Sequence, residues 1–357
     1  MVYYLGIDLH KDTAFWTIKE PNGKIVCQTQ LPVEQKVTIK TLQQWCNVAP
    51  IEAALEPVCA WQLYESWLRN AGVTVYVVQP LKVKAIAWNK LKNDRVDSEI
   101  LADLVRLGFV PNISIPTADQ SELSRLICFR LFLVRERAKL KQKMREILIS
   151  QNIACRRIDV FGKKASREIA DQSLPLNYAT MRESIFQIGD TLTLELKKLR
   201  QYLETHYGIL PDVKILCSIP GIGLITALSL RAVVGEWKRF SSPHCLASYA
   251  GLVPSAADSG SRIRRGHITK RGSRILRGAL YEATLNVNPS WGHLWNFYQR
   301  IKGKKGSRCA RVALARKMLT ISWYLMKRNE YFVPQNTNRP DLALTLAPNF
   351  SEAVRIE

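Results

Sequence analysis

An α/β amino-terminal domain followed by a longer, mainly helical remainder is the fold class that this 357-residue sequence predicts. Three observations carry the prediction. Short β-rich runs alternate with helical patterns through the first 110 residues, apolar residues recur at heptad spacing through the middle, and almost all the net charge lies after residue 110. The spacing predicts strands over 2–8, 13–19 and 25–31, the last two joined by the turn Pro21-Asn22-Gly23-Lys24. A helix over 34–47, a strand over 51–56, a helix over 58–71 and a strand over 73–79 follow. A basic loop from Lys82 to Lys92 then leads to a helix from Asp94 to Leu107. The order β-β-β-α-β-α-β-α, led by a three-stranded meander, is that of an RNase H-like domain. The turn after the first strand, Asp8-Leu9-His10-Lys11-Asp12, has no glycine run, which argues against a dinucleotide-binding fold.

The sequence divides into 1–110, a helical linker region over 111–207, a third domain over 208–332 and a tail over 333–357. Leu126, Leu133, Leu140 and Ile147 recur every seven residues, and Ile185, Ile188, Leu192, Leu196, Leu199 and Leu203 form a second stripe. Such spacing marks a coiled coil or an antiparallel helix pair, formed within one chain or between two. Polar, Pro-containing residues near 155–180 connect the two stripes. Further on, Pro220-Gly221-Ile222-Gly223 lies between apolar helical segments, as in a helix-hairpin-helix element. There the amides of Gly221 and Gly223 can approach a phosphate, although a tight helix–helix turn uses the same residues.

Composition narrows the function. The formal net charge is +22, which points to a polyanionic partner, most simply nucleic acid. Residues 1–110 hold 12 Lys+Arg against 11 Asp+Glu, so the remainder does the gripping and the first domain reads as the catalytic body. A hydrophobic content of 47% excludes a mostly disordered chain. The eight cysteines include no CxxC pair and no Cys/His cluster at zinc spacing, so they read as reduced thiols. With no signal peptide and no apolar run of bilayer length, the expectation is a soluble, cytoplasmic protein without a membrane partner.

Two constellations carry chemistry. Asp8 ends the first strand, Glu56 ends another, and Asp94 and Asp97 share one face at the start of a helix. Carboxylates so placed can share two Mg²⁺ ions, with Mn²⁺ as the alternative, for work on a phosphodiester. Taken singly, Asp8 reads equally as a turn residue, Glu56 as a solvated strand end, and Asn93 or Asp94 as a helix cap. The second constellation spans 251–277, where Arg262, Arg264, Arg265, Lys270, Arg271, Arg274 and Arg277 occur without an acid. Arg300 to Lys317 is a similar stretch, in which Lys304, Lys305, Arg308, Arg311, Arg316 and Lys317 form a basic face for a phosphate backbone. A serine in the loop before Arg262 is a candidate nucleophile towards phosphate, and the residues alone leave Ser255, Ser259 and Ser261 equivalent.

Taken together these motifs resemble a known family. Gly6-Ile7-Asp8-Leu9-His10-Lys11, Leu55-Glu56 and Lys92-Asn93-Asp94-Arg95-Val96-Asp97 are similar to the acidic motifs of the DEDD transposases. These belong to the IS-one-ten insertion-sequence family, which includes the Piv-type DNA invertases. Pro220-Gly221-Ile222-Gly223, Arg239-Phe240-Ser241, Tyr249-Ala250-Gly251-Leu252-Val253-Pro254, Ser259-Gly260, Gly266-His267-Ile268-Thr269-Lys270-Arg271-Gly272 and Ala315-Arg316-Lys317 resemble the family's second half, in family order. The resemblance implies a RuvC-like domain, a coiled-coil segment and a carboxy-terminal transposase domain. It implies recombination of donor and target DNA, with Mg²⁺ on Asp8, Glu56, Asp94 and Asp97 and with Ser259 joined covalently to DNA. It further implies a structured guide (bridge) RNA, a dimeric or tetrameric assembly with composite sites, and action at the prokaryotic nucleoid. The rival functions are a RuvC-type, metal-only junction resolvase and a domesticated nucleic-acid-binding protein without catalysis. This chain has Asn93 where many relatives have Thr, and Ser98-Glu99 where many have a small residue and Arg.

Overall fold

The computed structural model describes residues 1–58, 61–86, 93–110, 113–154, 159–259 and 262–333. The chain forms two compact units, Met1–Ile115 and Pro116–Glu357. No helix of the described residues is long and apolar enough to cross a membrane.

The first unit is a mixed five-stranded sheet flanked by helices, consistent with the RNase H-like prediction. Its strands are β1 (Tyr3–Leu9), β2 (Thr13–Lys19), β3 (Ile25–Pro32), β4 (Ile51–Leu55) and β5 (Thr74–Val77). They lie in the order β3-β2-β1-β4-β5. β1 to β3 form the antiparallel meander, and β4 and β5 extend it in parallel with β1. The turn into β3 closes through Gly23, at φ 89°, with Glu20 N–H donating to Lys24 O at 2.9 Å.

Strand alternation sorts β1 onto two faces. Tyr3, Leu5, Ile7 and Leu9 pack with Leu42 of helix α1 (Gln35–Cys46) and with Tyr64 and Leu68 of α2 (Trp61–Asn70). Residues Pro80–Ile86 form a further helix, α3, so the expected basic loop over 82–92 starts later than the sequence suggests. Pro80 suits a first helical turn and Val83 is buried, features that the flanking lysines obscure. The remainder of that loop, 87–92, lies outside the described residues. The opposite face of β1, bearing Gly6, meets α4 (Asp94–Arg106). There Leu101, Leu104 and Val105 pack with Ala54 and Val78.

The second unit opens with α5 (Ala118–Ser150), capped by a reciprocal Thr117–Gln120 box. It packs within the chain against α7 (Leu176–Tyr207). At one end of the pair Met144, Ile147 and Leu148 meet Ile185; at the other, Leu123 and Ile127 share a core with Leu203 and Tyr207. The expected connector near 155–180 contains a helix, α6 (Lys163–Ala170), which buries Ala165 and Ile169 at a spacing of four. The helices α8 (Pro211–Cys217), α9 (Leu224–Val234), α10 (Pro243–Tyr249), α11 (Arg274–Ala283) and α12 (His293–Arg328) complete the unit. Their core continues into Leu123, Ile127, Leu203 and Tyr207, so the long helix pair and these helices share one hydrophobic interior. The tail over 334–357 lies outside the described residues.

The Gly-flanked serine segment is not a loop but a two-stranded hairpin, β6 (Pro254–Ser259) with β7 (Arg262–Ile268). Its register pairs Ala257 with Arg264 and Ser259 with Arg262. Apolar residues are too few and arginines too many for strand alternation to be visible in the sequence.

Candidate metal centre and nucleic-acid interface

The first site grows out of β1. Asp8 lies on the face turned to α4, two residues on from Gly6, and His10 follows by the same alternation. Ile7 pairs with Leu55 in the parallel ladder, so the next residues, Asp8 and Glu56, leave adjacent strand ends side by side. Across from them Asp94 and Asp97 occupy the first turn of α4. Asn93 caps this helix, accepting from the Arg95 N–H at 3.1 Å, so neither aspartate is needed as the cap.

Three contacts fix α4 on the sheet. A Cβ at position 6 would overlap the Ser98 carbonyl oxygen and the Ala102 amide nitrogen, so glycine lets helix and strand approach at the backbone. The buried Ser98 hydroxyl lies 2.7 Å from Thr17 Oγ1. Lys19, only 4% exposed, reaches Glu99 at 3.0 Å and Asp103 at 2.6 Å. Ser98 and Glu99 thus help hold the helix that presents the aspartates.

Asp8, His10 and Asp94 converge. His10 Nε2 lies 3.4 Å from Asp8 Oδ2 and 3.2 Å from Asp94 Oδ2. One ligand atom from each of the three lies within 4.8 Å of the others. Two carboxylates and an imidazole suit a divalent cation, so the donor set fits the metal that the sequence resemblance implies. Glu56 and Asp97 stand outside this trio, Glu56 beside Asp8 in register and Asp97 on the same helical turn as Asp94. His10 joins this candidate site, and the sequence reading does not include it. Its signal is the Asp8-x-His10 alternation, which puts both side chains on one face of a strand end.

The basic residues divide into distinct environments. Lys270, Arg271, Arg274, Lys304, Lys305 and Arg308 are exposed. Arg277 is half-buried, its guanidinium donating to Ala250 O at 3.0 Å and Gly272 O at 3.1 Å, where it ties α11 to the base of the hairpin. Arg311, Arg316 and Lys317 are half-buried on α12, and burial, reinforced by Arg300, holds Lys317 below the usual lysine range. The break at Gly306, with φ 79°, sits within the Lys304–Arg308 group. Ser255 is exposed, whereas Ser261 and the side chains of Ser259, Arg262, Arg264 and Arg265 lie outside the described residues.

The turn between α8 and α9 is formed as the sequence predicts. Gly221 adopts φ 83°, and a Cβ there would overlap the Trp291 ring. Gly223 caps α9 and is open, and a Cβ there would meet nothing within 4 Å among the described residues. Gly221 is therefore required by packing, whereas position 223 has room for a side chain, and both glycines are exposed.

Comparison with known proteins agrees with this anatomy. Residues 5–152 match the transposase family DEDD_Tnp_IS110, and residues 213–299 match the Transposase IS116/IS110/IS902 family. The transposase for insertion sequence element IS1328 of Yersinia enterocolitica is 24% identical, covering 93% of this chain and 98% of its own length. The transposase for IS1111A of Coxiella burnetii is 26% identical over 92% of this chain and 90% of its own. The pilin gene-inverting protein of Moraxella lacunata is 26% identical over 92% and 97%. With one family domain on the acidic site and the other spanning the glycine turn, the serine hairpin and the start of α12, the chain belongs to the IS110/IS116 family of DEDD transposases.

Proposed function

We propose that the protein is a DNA transposase and recombinase that mobilises an insertion sequence. In this reading Asp8, Glu56, Asp94 and Asp97 hold a pair of divalent cations, Mg²⁺ or Mn²⁺, and Ser259 is the nucleophile. The observation that carries it is the convergence of Asp8, His10 and Asp94 within 4.8 Å at the end of β1. A bound cation would neutralise charge on the scissile phosphate and on the departing oxygen. Asp8 and Glu56 sit on rigid strand ends, and the contacts of Ser98 and Lys19 hold Asp94 and Asp97 opposite them. The donors therefore need little rearrangement before the reaction.

Ser259 Oγ attacks phosphorus, the bond to the departing strand oxygen breaks, and the serine proton leaves with that oxygen or with solvent. The resulting phosphoserine ester keeps the energy of the phosphodiester, so a second strand hydroxyl can displace the serine and rejoin DNA. The arginines of β7 and α11 and the basic face of α12 hold the backbone. The family resemblance supports the finer reading. It gives a RuvC-like domain over 1–110, a coiled-coil region over 111–207 and a transposase domain over 208–332. It also supports guidance by a structured RNA that pairs with donor and target DNA, and a homo-oligomer in which one subunit's serine completes another's carboxylate site.

The test is complementation. Asp8→Asn and Ser259→Ala should each abolish recombination while DNA binding persists. Mixed in equal amounts during refolding or co-expression, a dimer with composite sites should regain about a quarter of wild-type activity, because half the dimers carry one intact site of two. No recovery in the mixture would rule out composite sites, and recombination by Ser259→Ala would remove the serine. Wild type that cuts DNA without forming a protein–DNA adduct would favour a metal-only nuclease. Discrete RNA recovered with the purified protein supports the guide, and its absence counts against it.

A further inference from the structure

We infer that His10 is a metal ligand, a nitrogen donor that makes the acidic site favour a first-row transition ion such as Mn²⁺ over Mg²⁺. The inference rests on the metal site proposed above and deepens it. Three features support it. First, His10 Nε2 is 3.4 Å from Asp8 Oδ2 and 3.2 Å from Asp94 Oδ2. An octahedral ion with donors at about 2.1 Å spaces adjacent donors about 3.0 Å apart, so these separations are those of neighbouring ligands, slightly relaxed.

Second, the placement of His10 is fixed by the backbone. Its amide N–H donates to Thr13 O at 2.8 Å, closing the turn between β1 and β2. The imidazole thus arrives from the strand side with Asp8, while Asp94 approaches from the first turn of α4. Three donors from two elements enclose one point, which a pair of adjacent carboxylates on a single helix cannot do. Third, His10 Nε2 is shielded from solvent and makes no hydrogen bond among the described residues, although it faces both acids. A buried ring nitrogen left in this way is a donor that a bound cation would satisfy.

The chemistry follows from ligand softness. Mg²⁺ binds oxygen almost exclusively and gives up its waters reluctantly, so an imidazole adds little to its affinity. Transition ions accept imidazole nitrogen more readily than Mg²⁺ does, Mn²⁺ the least of the first-row series, and the same ligand strengthens their binding. With four carboxylates alone the site would be an all-oxygen site suited to Mg²⁺. With His10 it becomes a mixed site.

Mn²⁺ itself is the probe, added to the full-length protein. The pulsed electron paramagnetic resonance spectrum of bound Mn²⁺ should carry a histidine-nitrogen coupling in wild type and lose it in His10→Ala and His10→Gln. Loss of even an outer-shell partner lowers metal affinity about 10–100-fold, so Mn²⁺ affinity should fall at least about tenfold in both variants. Mg²⁺ affinity, read by competition, should change much less. Bound Mn²⁺ without nitrogen coupling in wild type, or a coupling that persists in both variants, overturns the role of His10 and leaves the carboxylate site standing. Equal losses for Mn²⁺ and Mg²⁺ likewise overturn it, making His10 a positioning residue. Failure of wild type to bind either ion overturns the metal site and this inference together.

Discussion

Gly6 sets the distance on which the acidic site depends. It lies on the same face of β1 as Asp8, and α4 passes over it so closely that a Cβ would strike backbone atoms of Ser98 and Ala102. Backbone cannot rotate out of the way as a side chain can, so the whole helix must shift. Overpacking of this kind costs typically about 1–3 kcal/mol. Gly6→Ala should therefore sit at the upper end of that range in a denaturant titration. Its metal affinity should fall as well, because Asp94 would move away from Asp8 and His10. A variant of unchanged stability and unchanged affinity would show that helix and strand are not held at this spacing.

At the scale of elements, sequence and structure agree where apolar periodicity is undiluted and part where charge hides it. All five strands of the first unit and α1, α2, α4, α5 and α7 were legible, because Leu, Ile and Val recur at spacings of two, or three and four. α3, α6 and the β6/β7 hairpin were not. α6 buries only Ala165 and Ile169 amid lysine and arginine, and β7 has two isoleucines among its arginines. The positions of the four acids at or near element ends were legible, whereas the approach of His10 to Asp8 and Asp94 depends on how α4 packs on β1. α12 shows how such an element responds to protons. His293, at its start, is held below the ordinary histidine value of 6.5 by burial and then by Lys317. The unfolded chain therefore takes up this proton first as pH falls, so the folded state is favoured fully above 6.5 and loses that advantage below it. His293→Phe keeps a ring beside Phe332, which lies 5.8 Å away, and removes the titration. Its melting temperature should gain on wild type between pH 7.5 and pH 5.5, and a constant difference across that range would exclude the effect.

For the whole molecule, the distribution of charge is the argument. The formal net charge is +22, yet residues 1–110 are nearly neutral, so attraction to a polyanion is concentrated in the second unit. Within the first unit the buried Lys19 is committed to Glu99 and Asp103 and so adds nothing to that attraction. Binding driven by phosphate contacts releases counterions, so the logarithm of affinity falls with the logarithm of salt by about 0.9 per contact on duplex DNA. Lys304, Lys305 and Arg308 are exposed on α12, flanking the break at Gly306. If all three contact phosphate, replacing them together with Ala should lower that slope by about 3 and weaken binding alike on any sequence. A slope unchanged in the triple variant would mean that DNA runs elsewhere on the second unit. A loss confined to one sequence would mean that these residues read bases and not backbone.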